Sequence, residues 1–153
     1  MNAVPTVHTA GGIAILSGVI SAIGVVFLIA MFAFFKTPRQ DLALTFGLLN
    51  DICVALQYLL TIPVALALHR ILKVHQPGLM RAVTTIGIVS MLLVVALQLM
   101  LIFKLLTFER QVVWVSLAMI LGVGSWLVIT GLVSRSTGRL PNSMLVSILA
   151  VPY

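Results

Sequence analysis

Carboxylates are scarce in this chain: Asp41, Asp51 and Glu109 are the only acidic side chains in 153 residues. They lie in separate segments, which excludes a paired-carboxylate active site and an acidic metal cage. Cysteine is scarcer still. Cys53 stands alone, so no disulfide can form within the chain and a cysteine-based metal site lacks its ligands. The three histidines, His8, His69 and His75, include no pair three or four residues apart, the spacing that aims two imidazoles at one ion. There is no Cys-x-x-Cys, no glycine-rich phosphate loop and no nucleophile paired with a base. These absences argue against an enzyme, and no cofactor or metal is expected.

Charge of either sign is also sparse. Only 8% of residues are charged, where soluble domains carry roughly a quarter. The net charge of +6 and the pI near 10.5 do not indicate nucleic acid. The nine Lys and Arg residues are spread over four short connectors, with no continuous basic face and no interleaved aromatic platform. Cations placed this way meet lipid head groups.

Apolar residues dominate what remains, at 61% of the chain with a mean hydropathy of +1.25. A soluble fold of about 150 residues leaves some 30% of its unfolded surface in water, so it could not hide this composition. The solvent for most of the surface is therefore hydrocarbon. The expected fold is an all-α polytopic membrane protein forming one domain over 1–153: an up-down bundle of four transmembrane helices plus a short fifth apolar segment.

The spans are expected at about 11–35, 43–68, 82–104 and 112–134. At about 1.5 Å per residue the first exceeds the ~30 Å hydrocarbon core. It ends on Met31-Phe32-Ala33-Phe34-Phe35, an aromatic edge before Lys36, Pro38 and Arg39. The second admits two readings. Either a helix begins near Asp41 and carries Asp51 into the membrane, or Asp51 caps a shorter helix and Leu42–Leu49 forms an interfacial elbow. Pro63 lies inside this segment as a candidate hinge, since proline frees a helical carbonyl. Lys104 is expected to snorkel at the end of the third span. Leu140-Pro141-Asn142-Ser143 reads as a turn into a partial fifth span or interfacial piece over 142–153.

Met1–Ala10 has no Lys or Arg, and the apolar run after it is longer than a signal-peptide core, so the segment is expected to be retained. Lys36 and Arg39 follow the first span and no basic residue precedes it, which favours an outside N-terminus. Lys and Arg are otherwise divided almost evenly between the two sides.

Helices in lipid associate through small residues, because lipid supplies no hydrophobic drive between them. The first span offers such a seam: Ala14, Ser17, Gly18, Ser21 and Gly24, continuing back to Ala10. The seam has two readings, ordinary contact within the chain or a docking face for another subunit. Polar chemistry concentrates in the second span. Asn50 and Gln57 are seven residues apart on one stripe, and Asp51 and Tyr58 are seven apart on the next. With Gln98 from the third span, these form a candidate intramembrane polar site for a proton, a cation or a polar head group. The competing reading makes Asp51 a cap, or a packed acid bonded to a neighbour such as Gln98.

Leu49-Asn50-Asp51 followed by the run from Leu59 to His69 resembles uncharacterised bacterial multi-pass membrane proteins of the domain-of-unknown-function type. The likeness covers mainly the second span and the turn into the tail. It implies a bacterial plasma-membrane setting and one or two more helices than the four completed here. It implies no activity.

Two functional readings follow. The first is a non-enzymatic accessory or structural subunit packing in the lipid bilayer against other membrane proteins or itself. The second is a small oligomeric transporter or channel with Asp51 as the proton- or cation-coupling residue. Small multidrug transporters are also four-helix proteins, but they depend on a glutamate in the first span, and none is present here.

Overall fold

A backbone surrounded by hydrocarbon must satisfy its own N–H and C=O groups, and a helix does so within each segment. The computed structural model describes residues 7–137. It contains α1 (Val7–Phe35), α2 (Gln40–Leu72), α3 (Pro77–Ile102) and a fourth rod in three parts: α4 (Phe108–Leu117), a π-helical stretch (Ala118–Gly124) and α5 (Ser125–Thr137). Four rods are long and apolar enough to cross a membrane. The expected fifth segment, 142–153, lies outside the described residues.

The helix boundaries follow local chemistry. Pro77 opens α3 at a position where its missing N–H has no intrahelical partner to lose. Asp41 in the first turn of α2, and His69 and Arg70 in its last, complement the helix dipole. Glu109 does the same at the start of α4, so the fourth rod begins at Phe108 rather than near Val112. The third helix ends at Ile102, before Lys104. There the Lys104 N–H donates to the Leu101 carbonyl (2.9 Å) and the Leu105 N–H to that of Met100 (2.8 Å), the pattern of a Schellman turn. Lys104 sits at φ 58°, a left-handed position that glycine fills without strain. Lys104→Gly is therefore expected to raise stability by about 1 kcal/mol, read as a higher thermal midpoint in detergent.

Consecutive rods pack side by side across connectors of four or five residues. The face of α1 turned to α2 repeats every three or four residues: Ala10, Ser17 and Gly24 are buried, with Ile13, Ile20, Phe27 and Met31 half-buried between and beyond them. A Cβ on Gly24 would lie 3.2 Å from the Cβ of Cys53, so the two helices touch closely there. Phe46 stacks on both Phe27 and Phe34, at 6.1 and 5.8 Å between ring centroids. One hydroxyl contact joins the pair deeper in: Ser17 Oγ lies 3.2 Å from Thr61 Oγ1 and donates to the Gln57 carbonyl at 3.3 Å.

The core forms around α3. Met91 and Val94 are fully buried, with Val83, Val95 and Leu97 beside them, against Tyr58 and Ala65 of α2 and Val115, Val123 and Trp126 of the fourth rod. Two glycines allow this approach. A Cβ on Gly87 would lie 2.7 Å from the Trp126 ring, and one on Gly122 would fall inside the Ser90 side chain. The π-helical stretch surrounds Gly122, and just past it Ser125 Oγ donates back to the carbonyls of Leu121 (2.5 Å) and Gly122 (3.0 Å).

Among the described residues α1 touches α2 and no other helix. The molecule is therefore two hairpins, α1–α2 and α3 with the fourth rod, joined along α2 and α3. Leu72, Met80 and Val133 pack together at the end carrying the α2–α3 connector, where His69 Nδ1 lies 3.1 Å from the Met80 carbonyl oxygen. At the opposite end nothing joins α1 to α3 or α4, and the hairpins part.

Candidate functional site

The parted end is a cleft, and Asp51 lies at its base. Because α2 is helical from Gln40, eleven residues earlier, Asp51 sits about 16 Å along the rod rather than at its start. The Asp51 cap and the Leu42–Leu49 elbow are both corrected by this. Leu42–Leu49 is uncharged and continues the helix, and the start is fixed by the Pro38 turn, where Thr37 Oγ1 donates to the Phe34 carbonyl at 2.9 Å.

The outer part of the cleft has a volume of about 990 Å³, near the upper end for a small-molecule site. Leu28, Met31, Phe32 and Phe35 form one wall, Leu101, Ile102 and Phe108 the other, and α2 supplies the floor from Ala43 to Asp51. Lys104 and Glu109 stand at the mouth. A deeper part of about 300 Å³ continues from it, with Leu28, Asn50, Asp51 and Phe108 lining both.

All five polar residues singled out from the sequence, Asn50, Asp51, Gln57, Tyr58 and Gln98, line that deeper part. Asn50 turns toward α1, its Oδ1 3.5 Å from where a Gly24 Cβ would stand. Tyr58 packs into the core beside Val94 and Val95. Gln98 does not pair with Asp51. Its Oε1 accepts from Gln111 Nε2 at 2.8 Å, and both side chains are only 4% exposed. Gln111 is a member of the site that sequence reasoning missed, because it follows Glu109 and Arg110 and reads as connector. The signal lay in Thr107-Phe108-Glu109, a helix start that puts Gln111 one turn inside.

The small-residue seam divides. Ser17 and Gly24 face α2 and Ser21 lines the cleft, whereas Ala14 and Gly18 point away from the rest of the chain. Around Gly18 a Cβ would meet nothing within 4 Å. Pro63 is half-buried and α2 continues through it unbroken.

The deeper part of the cleft therefore holds one carboxylate among amides and hydroxyls, with no Lys or Arg of the described residues in ion-pairing contact with it. Among those residues no three His, Cys, Asp or Glu side chains group as metal ligands. The chain matches no protein-family model, no curated protein and no solved structure. Two features of the described residues stand out, the cleft and the outward face of α1.

Proposed function

We propose that this chain is a non-enzymatic integral membrane subunit that associates with another bilayer-embedded helix through the outward face of α1. The observation that carries the reading is that α1 has one neighbour in the chain and keeps its small residues exposed on the other side. Ala14, Gly18 and Ala22 recur at four-residue spacing on that free face. Such a row lets two backbones approach closely in lipid. The partner is another membrane protein or a second copy, and the setting is the bacterial plasma membrane.

Two substitutions separate this role from internal packing. Gly18→Leu meets open space, so helical content and thermal midpoint are expected to stay at wild-type values. Gly24→Leu strikes Cys53 and is expected to loosen α1 from α2. Particle mass in mild detergent tests the association. The wild type should elute with a second membrane chain, and Gly18→Leu as a single chain with association weakened at least about tenfold. A wild type that is a single chain in both mild detergent and lipid discs would sink the reading.

Asp51 favours a second reading, a small oligomeric transporter or channel. An acid inside a span is costly and, unless paired, is found where protons, ions or polar groups pass. Unchanged proton or cation flux in Asp51→Asn vesicles would rule it out.

A further inference from the structure

We propose that the cleft binds a single lipophilic monocation: an amphiphile with one positive charge on an apolar body of aromatic-ring dimensions. The proposal goes beyond the association of α1, which uses Ala14, Gly18 and Ala22, none of which lines the cleft.

The outer volume of about 990 Å³ suits a compact ligand. It does not suit a spanning partner helix, because a cylinder about 10 Å across fills that volume in roughly two turns. Leu28, Phe32, Phe35, Leu48, Ile102 and Phe108 make the walls apolar, and the three phenylalanine rings offer faces that attract cations. The charge of the ligand is set by Asp51. It is the only acid in the deep part of the cleft, and no cation of the described residues pairs with it. A cation seated there neutralises a carboxylate in a low-dielectric setting, where an anion would be repelled and a neutral body would leave the acid unpaired. Asp51 is alone in the deep part, so one positive charge is matched there. Lys104 and Glu109 at the mouth oppose each other and give no net preference for an anion. The Gln57 amide in the same deep part supplies a hydrogen-bond acceptor for a protonated amine.

Tetraphenylphosphonium and tetraphenylborate test this directly, since they share size and shape and differ in the sign of charge. The full chain in mild detergent is equilibrated with each by dialysis. Tetraphenylphosphonium is expected to saturate at one per chain, and tetraphenylborate to show no saturable binding. Asp51→Asn keeps the shape of the side chain and is expected to weaken the cation at least about tenfold. Leu48→Trp, which leaves Asp51 untouched and fills the cleft, is expected to weaken it similarly, and it decides the matter should Asp51→Asn fail to fold. Wild-type affinity in Asp51→Asn, equal binding of the borate, or cation uptake that never saturates overturns the proposal. Gly18→Leu should bind the cation as the wild type does, so loss of partner association and loss of ligand binding remain separate results.

Discussion

Replacing Gly122 by leucine should prevent the third and fourth rods from packing at all. Gly122 is buried in the π-helical stretch, and even a methyl group there would occupy the space of the Ser90 Oγ and of its Cβ, which is fixed directly to the α3 backbone. A side-chain tip can rotate away from an intruder, but a neighbouring backbone cannot. Overpacking by a few methylenes typically costs about 1–3 kcal/mol where the core can still adjust. A leucine facing backbone leaves no such adjustment, and whole domains are stable by only about 5–15 kcal/mol. The same argument applies at Gly87, whose Cβ would meet Trp126 at its Cγ (2.7 Å) and Cβ (2.9 Å), the root of the side chain rather than its mobile edge. The measurement is the thermal midpoint of helical signal in detergent. Gly131→Ala is the control in the same rod, because its Cβ meets nothing within 4 Å and alanine favours helix. A Gly122→Leu protein melting with the wild type would refute the packing described here.

The Gln98–Gln111 pair should behave as a unit. Removing either amide, as Gln98→Leu or Gln111→Leu, leaves its partner buried with an unmade hydrogen bond, at a cost of about 1–3 kcal/mol. Removing both puts two hydrocarbon side chains in a mostly apolar surrounding, where Val115 and Met119 already line the same space. The double variant should therefore lose less than the two single losses together. Interhelical hydrogen bonds in membranes measure about 0.6 kcal/mol on average, so the larger part of each single loss is the orphaned partner. Reversible unfolding of the four proteins in mixed micelles gives the coupling energy. Strict additivity, within about 0.3 kcal/mol, would show that the two amides do not interact.

The existence of four spans was legible because lipid-facing segments must be long and uncharged, and the sequence shows four such runs. Their ends were less legible, since polar residues near an interface belong equally to a helix end or a connector. For that reason Gln111 reads as connector, and Asp51 reads equally as a cap or as an acid within the span. The face of α1 was harder still. A soluble helix reveals its buried side by contrast with a polar one, but in lipid both sides are apolar and the contrast vanishes. Ala10, Ser17 and Gly24 turn inward with Ile13, Ile20 and Phe27, while Ala14 and Gly18, one step round the same helix, turn outward. Spacing alone selects neither stripe. The cleft was illegible because it depends on a contact that α1 does not make with α3 or α4.

The parted hairpins also give the molecule a direction. Lys36, Arg39, Lys104 and Arg110 rim the open end, and Arg70, Lys73, Arg81 and Arg135 ring the end closed by Leu72, Met80 and Val133. The cleft therefore opens toward the end of the rods that carries the α1–α2 and α3–α4 connectors, with Asp51 about 16 Å in from the start of α2.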